Sequence, residues 1–180
     1  GVAIGLGAEA AEFVGEYNQR KARESVEKLQ RLAVNLDERL RRVEFEATNE
    51  KQDFFVEVLK RCVEDDEVEK LAFYEAVLVW IAKDSPRAAT VRIVGDAVRA
   101  LSYVELWAFA LDGQLPSLRD VLQAEGITED VWIARLIQFG LIQQGVRVPG
   151  RPQKLGAILL RELDVRSLTP PNAVAKRLLA

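Results

Sequence analysis

A stretch without proline, from about Ala8 to Glu46, carries apolar residues at alternating intervals of four and three. Charged residues fill most of the positions between them. This spacing is the heptad pattern of a helix that presents a single apolar stripe along one side. It therefore predicts a long N-terminal helix. The stripe residues are Ala22, Val26, Leu29, Ala33, Leu36, Leu40 and Val43.

The sequence alone allows two interpretations of this stripe. Either it packs on later helices of the same chain, or it pairs with the same helix of a second copy to form a homodimer. The two alanines allow close helix approach but weaken a free-standing coiled coil. If the stripe serves a protein partner, the candidate self-association residues are Val26, Leu29, Leu36 and Leu40.

The region after this helix has the signals of a helical core. Thr48 or Asn49 can cap a second helix. The acidic run at 64–67 then breaks the pattern or starts a new helix, where its charges suit the positive end of the helix dipole. The residues from Val68 to Ala82 are apolar on almost every side, which predicts the buried central helix of the body.

Two further helices have clear start signals. Ser85 and Pro86 form a cap residue followed by proline at the first helical position. Ser102 and Glu105 have the spacing of a capping box and open a short helix. Because no flexible linker lies near residue 101, we expect a helical body over residues 1–101 that packs against the C-terminal part of the chain.

The order of elements from residue 102 to residue 165 is that of a winged helix. Short helices are followed by a longer helix, a β-hairpin and a closing helix. Gly126 is placed to end the short helix before the longer one, and Gly140 is placed to end the longer helix. The hairpin is predicted from Leu141 to Val148, and residues 166–180 form a C-terminal tail. The predicted fold class is therefore mainly α, a helical bundle with a long N-terminal helix and a C-terminal winged-helix-like subdomain containing a small hairpin.

The charge of this subdomain bears on whether it binds nucleic acid. From Gln114 to Lys154 there are five cations and four anions, a net charge of +1, whereas duplex binders usually present a basic face. The longer helix also begins with two carboxylates, Glu129 and Asp130. In a DNA-binding winged helix this is the recognition helix, and its N-terminal residues would contact the DNA. We therefore favour a protein-contacting or structural role and keep nucleic-acid binding as the alternative. Its candidate contacts are Arg135, Arg147, Arg151 and Lys154.

The sequence offers little for catalysis. It has no histidine, which removes the commonest general base and the commonest metal ligand. A carboxylate metal site at Asp65 and Asp66 is a third hypothesis, but these residues lack the alternation of a calcium loop. We predict no catalytic residues, no metal site and no cofactor.

The single cysteine, Cys62, lies among apolar residues, and we expect a buried, inert thiol. One cysteine also excludes an intramolecular disulfide, which fits a reducing compartment such as the cytoplasm. No apolar run reaches the roughly 20 residues that cross a bilayer. Because the chain has no methionine, we expect that residues precede Gly1 in the full protein. Whether those residues include a signal peptide or a membrane anchor is left open by the sequence.

Several motifs over about 100 residues resemble bacterial proteins of the abortive-infection alpha family. They are the acidic stretch 65–67 before an apolar helix with Trp80, the step 101–105, and the run 136–142 followed by Leu155-Gly156. Lys154 stands where that pattern usually has threonine. The resemblance implies resistance to phage by an unspecified mechanism, and it supplies no catalytic residues. Our hypothesis from the sequence is a non-enzymatic, protein-binding module of a bacterial protein.

Overall fold

The computed structural model describes residues 2–40, 48–84, 86–112, 114–115, 117–143 and 154–180, and it describes side chains from residue 19 onward. Within these ranges the chain is mainly helical, which confirms the predicted fold class at that level. In chain order the helices are α1 (Val2–Leu40), α2 (Asn49–Glu64), a 3-10 turn (Val68–Lys70), α3 (Leu71–Lys83), α4 (Ala88–Ala100), α5 (Tyr103–Ala110), α6 (Leu118–Ala124), α7 (Glu129–Gln138), α8 (Lys154–Glu162), a second 3-10 turn (Val165–Ser167) and α9 (Ala173–Leu179).

The predicted hairpin does not appear among the described residues, which contain no strand. Most of the sequence assigned to it, residues 144–148, lies outside the described ranges. Helices α6 and α7 are in contact, as in the predicted helix-turn-helix arrangement. Gly126 and Gly140 follow these two helices, as predicted, with φ of 73° and 67°. Gly140 therefore has the left-handed conformation that the sequence predicts, and Gly126 has it too.

Helix α3 is the centre of the fold. Every residue from Phe73 to Ala82 is buried, and α1, α2, α4 and α8 all pack against α3. A helix that is apolar on almost all sides must be surrounded in this way to remove its surface from water. This confirms the central helix predicted from the sequence.

The side of α1 that faces the core coincides with the heptad stripe only toward the end of the helix. Its buried residues are Lys28, Leu32 and Leu36, which repeat every fourth position. Val26 and Ala33 of the stripe are exposed, and Leu29 is half-buried. Lys28 and Leu32 therefore form, with Leu36, a buried face that overlaps the stripe at one residue. Val43 lies outside the described residues.

The helix caps agree closely with the sequence, with one exception. Thr48 caps α2 by accepting a hydrogen bond from the Lys51 backbone amide, and Ser102 and Glu105 form the predicted capping box of α5. Helix α4 begins at Ala88, two residues later than Pro86 predicts, with Arg87 in the capping position. Its predicted apolar face is nevertheless correct, because Val91, Val94, Val98 and Leu101 are all fully buried.

Helix α8 joins the C-terminal part to the helical body, whereas α9 holds the tail on the subdomain. Helix α8 packs on α3 and α4, and α9 packs on α6. Asn172 caps α9 and also donates a hydrogen bond to the carbonyl of Val121, while Ala175 is fully buried. The tail is thus docked on the subdomain.

Candidate interaction surface

Helices α1 and α2 leave a shallow groove of about 300 Å³ between them. The surface exposed inside it is almost entirely apolar, although two of the residues around it are charged, and we refer to it as the apolar groove. The lining residues are Leu29, Val56, Leu59, Lys60, Val63 and Glu64. Val26 lies one helical turn before Leu29 on α1, and 53% of its surface is exposed.

The groove exists because α2 is apolar on two sides. Phe54, Val58 and Cys62 repeat every fourth residue and are buried in the core. Val56, Leu59 and Val63 have the spacing of a second face, of which Val56 is 49% exposed. Single exposed apolar residues are common on protein surfaces, but a contiguous set from two helices is typical of an interaction site.

The four predicted self-association residues fall into two groups in the structure. Val26 is exposed and Leu29 lines the apolar groove. Leu36 is buried in the core, and Leu40 is half-buried against it. Of the stripe residues that the structure describes, those from Ala22 to Ala33 are therefore the accessible ones.

A second depression, the polar cleft, lies between α1, α3 and α8 and has a volume of about 590 Å³. Five of its charged groups, Arg39, Glu75, Lys83, Arg161 and Glu162, are bound to one another. Arg39 donates to Glu75 Oε1 at 2.8 Å and to the carbonyl of Glu162. The carboxylate of Glu162 accepts from Lys83 at 2.7 Å and from Arg161 at 2.6 Å. This arrangement fixes α8 to the body.

Glu162 is buried, and yet its surroundings favour the ionised carboxylate. Burial alone would raise its pKa, but the hydrogen bonds from Lys83 and Arg161 and the positive charges of both outweigh this effect. The pKa of Glu162 therefore lies below its usual value. A carboxylate held in this state by two cations is suited to a structural role rather than to accepting a proton.

A buried ionic network connects α1, α3 and the end of α2. Lys70 is 2% exposed and binds Asp65 Oδ2 at 3.1 Å and Glu67 Oε2 at 2.7 Å. The hydroxyl of Tyr74 donates to Asp65 Oδ2 at 2.7 Å, and Lys28 donates to the Asp65 carbonyl. Burial and the carboxylate of Asp65 both raise the pKa of Tyr74. The hydroxyl thus stays protonated as a donor.

The acidic run at 64–67 is accounted for by these contacts and two others. Glu64 pairs with Arg99 at 3.0 Å, and Asp66 pairs with Lys21 at 3.5 Å. Each carboxylate of the run therefore has a cation beside it. Among the described residues, no three acidic, cysteine or histidine side chains converge in a way that could hold a metal ion.

Cys62 is buried, as the sequence predicts. Burial raises the pKa of its thiol to about 11, an effect that nearby Lys28 opposes and Asp65 reinforces. Reactive cysteines have a lowered pKa and a partly exposed sulfur. The properties of Cys62 are the opposite.

The structure assigns Arg135 a contact inside the protein. Its Nη1 lies 2.6 Å from Oε2 of the fully buried Glu105, and Nη2 donates to the carbonyl of Ala100. Lys154 is exposed at the first residue of α8. Arg147 and Arg151, the other two candidates for nucleic-acid contact, lie outside the described residues. At the start of α7, Glu129 pairs with Arg119 at 3.0 Å.

Several buried charged groups have no clear signal in the sequence. Glu105 is recognisable there only as part of a capping box, and its additional contact with Arg135 cannot be predicted from spacing. Lys28 and Lys70 each precede a leucine and Lys51 lies between Glu50 and Gln52, so all three look like ordinary surface positions. The buried charged residues are Lys28, Lys51, Asp65, Lys70, Glu75, Glu105 and Glu162.

Comparisons with protein-family models, with curated proteins and with solved structures find no match to this chain. None of the described helices combines the length and the apolar character needed to cross a membrane. The fold and the surfaces together define the class: a mainly α-helical protein with a central buried helix, a self-paired polar cleft and an open apolar groove.

Proposed function

We propose that this chain is a non-enzymatic protein-interaction module that associates with itself through α1 and the apolar groove. The observation that carries the proposal is the contiguous apolar surface formed by Val26, Leu29, Val56, Leu59 and Val63. The chain leaves Val26 and Val56 exposed and Leu29, Leu59 and Val63 half-buried, whereas it buries Leu36 further along the same stripe.

The chemistry of the polar regions supports a binding function over a catalytic one. In the polar cleft, Glu162 is shared by two cations and Glu75 accepts from Arg39. In the buried network, Lys70 is shared by two carboxylates. A general base needs a free lone pair near the pH of operation, and a nucleophile needs activation. Groups that neutralise each other in this way meet neither condition.

The alternative, a winged-helix regulator that binds nucleic acid, has less support from the geometry. Arg135 is engaged with Glu105 and Ala100, and α7 begins with two carboxylates. Duplex binding through several phosphates weakens by orders of magnitude between about 50 and 200 mM salt. We expect no salt-sensitive binding of a DNA or RNA duplex by the full chain. Strong binding that falls steeply with salt would favour the alternative.

The biological setting we propose is the defence of a bacterial cell against phage. It rests on the resemblance to the abortive-infection alpha family over the acidic stretch, the Trp80 helix and the run at 136–142. Expression of the chain in a phage-sensitive bacterium should reduce plaque formation. Unchanged plaque counts with a panel of phages, at confirmed expression, would count against this setting while leaving self-association intact.

Self-association is tested by one substitution on α1 and a matched one elsewhere. Val26 on α1 and Val131 on α7 are both 53% exposed. Light scattering of the full chain should give a dimer for wild type and for Val131→Lys. It should give a monomer for Val26→Lys, because a lysine there would place its charge in an apolar interface. A wild-type monomer at high concentration would contradict the proposal.

A further inference from the structure

We infer that Arg61 of α2 is the positioning residue of the apolar groove. Its guanidinium packs directly on Gly95 of α4, and this contact sets how far α2 lies from α4 and how close it lies to α1. Arg61 is not among the residues that line the groove, so it acts through the position of its helix. The inference rests on the proposed function and identifies what shapes the surface used in it.

The contact between Arg61 and Gly95 leaves no room for a larger residue on α4. A Cβ atom added at Gly95 would lie 3.2 Å from Nη1 of Arg61, 3.3 Å from its Cδ and 3.4 Å from its Cζ. Gly95 is buried, and the side chain of Arg61 is only 14% exposed. Glycine is a poor helix former, so its place in the middle of α4 indicates that space decides this position.

Hydrogen bonds hold the guanidinium in this place from two helices. Nη1 donates to Glu57 Oε1 of α2 at 2.9 Å, and Nη2 donates to Asp96 Oδ1 of α4 at 3.0 Å. A guanidinium is planar and carries its donors in a fixed fork, so it cannot turn aside and keep both bonds. Added bulk at Gly95 is therefore passed on to α2.

The contact with α4 and the groove lie on opposite flanks of α2. At about 100° per residue, Glu57 and Arg61 lie on one side of the buried Val58. Leu59 and Val63 lie on the other side, where they line the groove with α1. Helix α2 thus lies between α4 and α1, and all three pack on α3. A push from α4 consequently moves α2 toward α1 and narrows the groove.

A double-mutant cycle on the full chain tests whether Arg61 fills the space beside Gly95. Alanine is the better helix former, so Gly95→Ala should raise the folding equilibrium constant about fivefold in an Arg61→Ala background. In wild type the same substitution should not raise it, because the new Cβ meets the guanidinium. Arg92→Ala is the control background, since Arg92 also pairs with Glu57 but does not contact the added Cβ. Urea unfolding measures each constant, and equal gains in all three backgrounds would overturn the inference.

Thiol labelling of dilute protein tests the effect on the groove. Leu59→Cys places a thiol in the groove, Val131→Cys places one at a 53% exposed position on α7, and Cys62 is buried. Gly95→Ala should slow the labelling of residue 59 and leave that of residue 131 unchanged. Adding Arg61→Ala should restore the rate at residue 59. A substitution that merely loosened the fold would have the opposite effect, because local opening speeds labelling.

The outcomes separate this inference from the proposed function. If Gly95→Ala leaves the labelling rate at residue 59 unchanged or raises it, Arg61 does not position the groove, and self-association stands. If the rate falls and is rescued but wild type stays monomeric at high concentration, the proposed self-association fails, while the control of the groove by Arg61 holds.

Discussion

Arg135 Nη1 lies 2.6 Å from Glu105 Oε2, and this ion pair joins α7 to α5. The same carboxylate oxygen accepts from the backbone amide of Ser102 at 2.8 Å, so one atom serves both a helix cap and a contact between helices. The other oxygen of Glu105 has no hydrogen-bond partner among the described residues. The buried carboxylate consequently depends on Arg135 for its neutralisation.

We expect Arg135→Ala to destabilise the protein strongly. Removing one partner of a buried ion pair leaves an uncompensated charge, which costs about 3–5 kcal/mol. Because Arg135 itself is 36% exposed, we expect the lower end, about 3 kcal/mol. The control is Arg119→Ala, whose partner Glu129 is at the surface and whose loss should cost less than about 1 kcal/mol. Urea unfolding of both variants measures the difference, and equal stabilities would show that the contact with Glu105 is unimportant.

Because of Glu162 in the polar cleft, we expect the free energy of unfolding to decrease at acidic pH. The pKa of Glu162 is below its usual value in the folded protein, so near pH 4.5 the unfolded chain binds more protons at this position than the native protein does. The contribution of Glu162 is then present above that pH and lost as the pH falls through its native pKa. We expect Glu162→Gln to cost about 1–3 kcal/mol at pH 7.

The variant should also lose stability less steeply on acidification than wild type, since it lacks the titrating group. Glu129→Gln is the control, because its carboxylate lies in an exposed ion pair. Free energies of unfolding at pH 7, 5 and 4 give the comparison. A Glu162→Gln variant whose acid dependence is parallel to that of wild type would refute the assignment.

At alkaline pH we expect the opposite dependence, caused in part by Cys62. The unfolded thiol ionises near pH 9, whereas burial raises the native pKa to about 11. Between these values the unfolded chain binds fewer protons than the native protein, so stability falls as pH rises. The contribution of Cys62 is about 3 kcal/mol at most, because its pKa rises from 9 to about 11. Tyr74 and Tyr103 act in the same direction, because burial raises the pKa of each hydroxyl.

Two measurements separate the thiol from the tyrosines. The variant Cys62→Ala should keep the tyrosine-dependent loss and lack the part between pH 9 and 11. In addition, a thiol reagent should modify the native protein at pH 8 no faster than the chain unfolds, and it should react at once in urea. Rapid modification of the folded protein would mean that Cys62 is accessible.

The parts of the fold that sequence predicts well are those set by a single local property. Helix α3 is apolar on nearly all sides, and burial is then required wherever it lies. The capping box at Ser102 and the left-handed Gly140 depend on neighbours three or four residues away. For these elements the local signal and the tertiary structure agree.

The buried side of α1 could not be predicted in the same way. The heptad stripe is the most regular apolar pattern on the helix, but of the three residues of α1 that are buried, Lys28 and Leu32 lie outside the stripe and only Leu36 belongs to it. The lysine hides this face from a hydrophobic pattern, because its burial depends on the distant carbonyl of Asp65. Arg135 also shows how a distant partner changes the role of a residue. A count of cations in the sequence includes Arg135, but in the structure its charge is paired with that of the buried Glu105.

Self-association requires that a second copy of the chain cover the apolar groove in solution. Sedimentation equilibrium of the full chain over a wide range of concentration measures this directly. A matched pair of variants is available, since Val56 in the groove is 49% exposed and Ile93 on α4 is 46% exposed. We predict a monomer–dimer equilibrium for wild type and Ile93→Lys, and a monomer for a folded Val56→Lys. A wild type that remains monomeric throughout, or a Val56→Lys variant that dimerises as wild type does, would contradict self-association through the groove.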